Sequence, residues 1–211
     1  MTSNQTGTGN VAVGVGALND TLGTQNTAIG DLAGYQVTSG SNNLAVGKDA
    51  LRTGSPGGAV TTGSNVIGLG DENISSFNCQ VALTVASDER DKTDFVDLDL
   101  GLDFVKALEP VTYYWDKRSK YGDKTAEDYD LEAQTPDGSH KEDWMDVGFK
   151  AQAVQALEDA AGYTASAKKN LTVASSDDGK QLGLRYEKFI PILVKAIQEL
   201  SAEIETLKSG G

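Results

Sequence analysis

Gly23-Thr24-Gln25-Asn26-Thr27-Ala28-Ile29-Gly30 decides how the first half of the chain is read, because it recurs. Gly7-Thr8-Gly9-Asn10-Val11-Ala12-Val13-Gly14 precedes it. Gly40-Ser41-Asn42-Asn43-Leu44-Ala45-Val46-Gly47 and Gly63-Ser64-Asn65-Val66-Ile67-Gly68-Leu69-Gly70 follow. The starts lie 16, 17 and 23 residues apart, and self-similarity at short spacing is the mark of a stacked array. Each unit offers roughly four strand residues, too few to be stable alone, so neighbouring units must supply the missing partner. Asn10, Asn26 and Asn43 fall in register and are expected to form a side-chain ladder. Glycines 14, 30 and 47 are expected where the chain turns sharply or another backbone comes close. Ser55-Pro56-Gly57-Gly58, inside the longest interval, reads as a loop inserted between rungs. The regular Val/Ala/Ile placement argues against a disordered Gly/Ser/Thr linker.

Outward from the repeats the composition changes. Residues 1–80 hold 15 of the 24 glycines but seven charged residues, and the other 42 charges follow, which places a boundary near residue 80. The expected organisation is a β-repeat region over 1–80, a junction over 81–86 and a second domain over 87–211. With 18 Lys and Arg against 31 Asp and Glu, the net charge is −13. Nucleic-acid phosphates and anionic lipid would repel such a chain. A single Cys and a single His leave little for a cysteine cage, a histidine metal site or a Ser-His-Asp triad. No metal and no cofactor is expected. No apolar run reaches a membrane span of about 18 residues, and the opening Met1 to Gln5 lacks the basic start of a signal peptide.

The second half reads as α+β. Gly101 to Leu108 suits a short helix that Pro110 stops, and Val111 to Trp115 suits a strand. Residues 116–145 form a charged excursion, and the acids from Glu127 to Glu132 read as a solvated loop. Phe149 to Leu157 has helical spacing, and Leu171-Thr172-Val173 and Leu182-Gly183-Leu184 suit short strands. Near the C-terminus, Ile190, Leu193, Ile197, Leu200, Ile204 and Leu207 are spaced 3, 4, 3, 4, 3. That is a heptad seam with Ile at a and Leu at d, on a coiled-coil helix expected over 187–208. The a/d rule alone leans to a dimer, and the competing reading is a helix packed on its own domain.

Few residues carry chemistry. Ser87-Asp88-Glu89-Arg90-Asp91-Lys92 puts a serine and a lysine five apart, able to meet if the chain turns between them. A lysine can activate a serine if burial lowers its pKa, but a serine before acids is also a common helix N-cap. Asp97 and Asp99 read as an acidic strand face, His140 as a surface residue and Cys79 as a small apolar filler. Glycines 68 and 70 make no dinucleotide fingerprint without a βαβ setting.

Ser87 to Lys92, together with Gly101-Leu-Asp-Phe-Val-Lys-Ala-Leu-Glu-Pro-Val-Thr-Tyr-Tyr-Trp115, resembles the C-terminal intramolecular chaperone domain of phage tailspikes and tail fibres. Gly148-Phe149-Lys-Ala-Gln152-Ala-Val154 resembles that family's Gly-Phe-x-Ala-Gln-x-Val block, and Leu184-Arg185-Tyr186 its closing strand and helix. The resemblance spans about residues 86–208. A related self-cleaving domain occurs in myelin regulatory factor. The repeats over roughly 7–72 resemble the heads of trimeric adhesins and the shafts of tail fibres. The resemblance implies an α+β chaperone domain that helps an all-β shaft, solenoid or β-roll-like, to trimerise and then cuts itself off. It implies a Ser-Lys dyad at Ser87 and Lys92, a scissile bond between Ala86 and Ser87, and Arg90 as the nearest supporting cation. Three departures bear on cleavage efficiency more than on fold: Met145-Asp146-Val147 where many members have a His, Asp91 where an apolar residue is usual, and the acidic excursion.

The expectation is therefore a homotrimeric segment of a tail fibre or tailspike, made in the host cytoplasm and carried in the virion tail. Its repeats begin almost at once, which suggests a truncated chain or a short fibre docked on another tail protein, with a host glycan or receptor at its tip. The alternative is a non-cleaving trimeric adhesin or receptor-binding tip that keeps its C-terminal domain. Residues 1–80 hold no carboxylate pair that can be set across a groove as in a glycan hydrolase.

Overall fold

The computed structural model describes residues 6–126 and 128–210; Met1 to Gln5 and Glu127, read above, lie outside it. Strands β1 (Val11–Val13), β2 (Thr27–Ile29), β3 (Leu44–Val46) and β4 (Ile67–Leu69) pair in parallel, in chain order. Their register, Ala12 against Ala28, Ala28 against Ala45 and Ala45 against Gly68, follows the alignment of the four segments. Side chains alternate across a strand, so these central residues face inward, onto Ala17, Leu18, Ala33, Val37, Ala50, Leu51 and Val60. The interior is narrow: a methyl group on Gly68 would stand 2.3 Å from Leu51 Cδ2. Val11, Val13, Ile29, Val46, Ile67 and Leu69 face outward and are exposed.

The ladder continues beyond the strands. Gly30, Gly47 and Gly70 donate their amides to the carbonyls of Val13, Ile29 and Val46, one rung back. Asn10 Oδ1 accepts the amide of Asn26, Asn26 Oδ1 that of Asn43, and Asn43 Oδ1 that of Val66, at 2.8–3.0 Å. The same asparagines donate their Nδ2 to the carbonyls of Gly23, Gly40 and Gly63. Each asparagine, buried at 26 and 43 and half-buried at 10, thus satisfies both ends of its amide against neighbouring rungs.

From Asn73 to Asp99 the chain runs without strand pairing and almost entirely exposed, turning once at residues 89–91. This includes Cys79, which is exposed and fills no apolar gap, because it lies in the exposed middle of this stretch, away from Leu98, which packs on the C-terminal core. It also includes Asp97 and Asp99, which belong to no strand; Asp99 accepts instead from the hydroxyl of Tyr163.

Beyond Asp99, α1 (Leu102–Ala107), α2 (Ala151–Ala160) and α3 (Phe189–Ser209) surround two antiparallel pairs. These are β5 (Val111–Tyr114) with β6 (Met145–Gly148), and β7 (Val173–Ser175) with β8 (Leu182–Leu184). Leu100, Phe104, Val154, Val173, Phe189 and Ile192 form the core. The strand expected at 171–173 begins two residues later. Leu171 and Thr172 give their amides to the carboxyl group of Glu158, at 3.2 and 2.7 Å, which takes those two amides out of the ladder and satisfies a buried polar side chain. The excursion is not wholly solvated either: Leu131 is 1% exposed and Asp130 pairs with Lys180 at 2.7 Å. The last helix starts two residues late, after a single 3-10 turn at Tyr186–Lys188, which leaves Pro191 in its first turn.

Candidate functional site

Ser87 and Lys92 are brought together by one tight turn. Asp88, not Ser87, caps it: its carboxylate accepts the amide of Arg90 at 2.9 Å, and the amide of Lys92 donates to the carbonyl of Glu89 at 3.1 Å. The turn reverses the chain over Glu89–Asp91, so that Lys92 Nζ reaches Ser87 Oγ at 2.6 Å and the Ser87 carbonyl at 3.3 Å. Arg90 sends Nε and Nη2 back onto Asp88 at 3.0 and 2.6 Å. The side-chain and backbone hydrogen bonds from Arg90 hold the Asp88 carboxyl below its ordinary value, and the same pairing raises the Arg90 guanidinium. Arg90 therefore spends its charge on the turn. The signal for Asp88 was available in the sequence, since Asp is among the preferred N-cap residues, as serine is.

All six residues of this turn are exposed in the single chain. So are the apolar residues around it: Val81, Leu83, Val85, Phe95 and Val96. Ala86, on the acyl side of the bond in question, is exposed as well.

The separate sequence blocks behind the turn converge. Phe149 stacks on Tyr186 and Phe189, with ring centroids 6.3 and 5.4 Å away, and its amide donates to the Tyr186 hydroxyl at 3.3 Å. A side chain on Gly148 would start 2.3 Å from that hydroxyl, which accounts for a glycine before the phenylalanine. In the Met145-Asp146-Val147 segment, Asp146 Oδ2 accepts from Tyr113 Oη at 3.3 Å and from Trp115 Nε1 at 3.2 Å. The backbone bond from Val147, then Trp115, keeps Asp146 ionised to lower pH than usual. His140 lies exposed, edge-on to Tyr121.

Helix α3 has two apolar faces. Phe189, Ile192 and Ala196 are buried against the domain. The heptad residues Ile190, Leu193, Ile197, Leu200, Ile204 and Leu207 point elsewhere: Ile197 is 66% exposed where Ile192 is 2%. Packing on its own domain thus uses a different stripe from the seam.

Residues 87–163 match the family model described as chaperone of endosialidase, a family classed among the peptidases. The matched stretch begins at Ser87 and runs through the turn, α1, β5, β6 and α2. It supports a chaperone domain in the C-terminal half of the chain. No curated protein and no solved structure matches the chain significantly. Among the described residues no group of three His, Cys, Asp or Glu is placed to hold a metal ion, and no helix is long and apolar enough to cross a membrane.

Proposed function

We propose that the chain is the distal part of a homotrimeric tail fibre or tailspike. In this reading residues 1–80 are a solenoid or β-roll-like shaft, and residues 87–211 are an intramolecular chaperone that severs its covalent link to the shaft between Ala86 and Ser87. The observation that carries the reading is Lys92 Nζ at 2.6 Å from Ser87 Oγ, at the first residue of the family match. The unoccupied seam of α3 and the outward valines, isoleucines and leucines of β1 to β4 are the surfaces a trimer would bury. Intertwined β-structure folds slowly through non-local contacts, and a C-terminal clamp raises the effective concentration of the three shafts.

The chemistry follows from the dyad. Ser87 Oγ forms a bond to the Ala86 carbonyl carbon while its proton passes to Lys92. The Ala86–Ser87 C–N bond breaks, and the nitrogen takes up the proton, leaving an ester to the serine oxygen. Water then cleaves the ester, giving the Ala86 carboxylate and a new Ser87 amino terminus. Attack by a serine from a neighbouring chain is the other route with the same products. Either route needs a neutral lysine, and lysine in water holds its proton to about pH 10. The turn stands open to water, surrounded by exposed apolar side chains. Covering by the other two chains would desolvate Lys92 and disfavour its charged form, so assembly itself would switch on the base. Arg90, already paired with Asp88, adds little to that.

Freshly expressed protein on a denaturing gel, followed by N-terminal sequencing, tests this: a fragment beginning at Ser87, absent from Ser87→Ala, is the expected result. A single uncut chain would favour the second reading, a trimeric adhesin or receptor-binding tip that keeps its C-terminal domain, which the contacts between the two halves also support. In both readings the protein belongs to a virion tail, joined to another tail protein and facing a host glycan or receptor.

A further inference from the structure

The repeat column ends against the C-terminal domain in a specific way. One rung back, Leu22 and Gly23 donate their amides to the carbonyl of Thr38; one rung on, Thr38 and Gly40 donate to that of Thr61. At the last rung no Thr61 equivalent follows. Thr61 and Gly63 donate instead to Asp177 Oδ2, at 3.4 and 3.2 Å. A side-chain carboxylate from the turn between β7 and β8 stands where the next rung's carbonyl would be.

The surrounding contacts are built for close approach. A Cβ on Gly54 would stand 2.7 Å from Ser119 Cβ, and one on Gly58 would stand 2.5 Å from Ser176 Cβ. Gly57 between them faces open space. The loop that lengthens the third interval is thus the part of the column that the domain touches. Around it, Arg52, itself held by buried Asp49 at 2.7 Å, donates Nη2 to the Lys124 carbonyl at 3.1 Å. Lys124 pairs with buried Glu72, and Lys117 Nζ donates to the Glu72 carbonyl at 2.9 Å.

We infer that the face formed by residues 117–124 and 176–178 is an end-cap whose partner is the final rung of the repeats, with Asp177 acting as a surrogate rung. An uncapped parallel array offers unpaired backbone donors to any other chain, and terminal caps are what repeat proteins require for solubility. The cap holds the rung through backbone donors and ion pairs, not through the 73–99 connection, so it survives a break in that connection. The statement about the break rests on the proposed cut; the cap itself does not.

The test uses the full chain and four variants: Asp177→Ala, Asp177→Asn, Gly58→Ala and Gly57→Ala. Hydrogen exchange at the Thr61 and Gly63 amides should accelerate at least about tenfold in Asp177→Ala, one decade corresponding to about 1.4 kcal/mol, and much less in Asp177→Asn, which keeps an acceptor oxygen. Both glycines have positive φ, 84° and 77°, so alanine strains the backbone alike at 57 and 58. Gly58→Ala should nevertheless accelerate exchange at the last rung beyond Gly57→Ala. In cut protein, or in a variant opened by an added protease site within residues 80–86 if it does not cut itself, the two pieces should co-elute at low salt and separate at about 1 M salt. Unchanged exchange in Asp177→Ala, equal effects of the two glycine variants, or immediate separation at low salt would each overturn the cap. Absence of self-cutting would count against the proposed function alone.

Discussion

Glu199 in α3 accepts the amide of Leu102 at 2.7 Å, fastening the start of α1 to the last helix across 97 residues of sequence. Gly101 leaves room for it, since a Cβ there would stand 2.1 Å from the carboxylate. The next residue, Leu200, belongs to the exposed seam. Adjacent side chains on one helix thus serve the domain and the proposed assembly separately.

That separation predicts opposite phenotypes. Leu200→Asp should leave a folded domain, with normal helical circular dichroism, but reduce the mass by light scattering from trimer to monomer at micromolar concentration. Glu199→Ala should keep the trimer and lower stability by about 1 kcal/mol, the usual cost of a lost helix cap. A monomeric wild-type protein would refute the trimer.

For the dyad, Ser87→Ala and Lys92→Ala should both give uncut trimers. Lys92→Arg should also stay uncut, because arginine remains protonated in proteins. Trimers mixed from Ser87→Ala and Lys92→Ala chains report whether the dyad lies within or between chains: cutting in the mixture means that it is shared. Wild-type cutting by Lys92→Ala would remove the lysine from the mechanism.

The shaft should outlive the clamp. Residues 1–86 obtained by cutting should remain trimeric, while the same residues expressed alone should aggregate or fold in low yield. Equal yield and equal melting temperature from both routes would show that residues 87–211 do not assist folding.

The asparagine ladder predicts a large cost at its centre. Asn26→Ala would strand the Asn43 amide and the Gly40 carbonyl, at about 1–3 kcal/mol for each buried group left unpaired. Thermal unfolding of the cut shaft should show it, and Asn42→Gly, on the exposed surface at a positive φ that glycine accommodates, should cost far less.

Acid should loosen the excursion. The hydrogen bond from Lys180 holds Asp130 below its ordinary 3.8, and Lys117, then Lys120, hold Glu142 below 4.5. Because the folded values are depressed, the stabilisation is complete above the ordinary values and is lost as the pH falls through the lower, folded ones. The melting temperature of the C-terminal domain should therefore be flat from about pH 7 to 5 and decline below about 4.5. Asp130→Asn should flatten the decline; an unchanged decline would show that this pair is not its source.

The order of the repeats, their register and the seam of α3 were determined by sequence alone, because each rests on residues close in the chain or at fixed spacing. The asparagines at 10, 26 and 43 needed no long-range information to be aligned, and Ser87 and Lys92 are near enough for a single turn to join them. Tertiary structure decided the rest. Phe189, Ile192 and Ala196 become a second face only once a domain exists for them to pack on. Leu171 and Thr172 leave the strand because Glu158, buried by the fold, needs their amides more than the ladder does. Asp177 lies 114 residues from Gly63 and is of a type common in any surface turn; only the folded chain, which leaves the last rung with unpaired donors and sets a carboxylate against them, gives it a role.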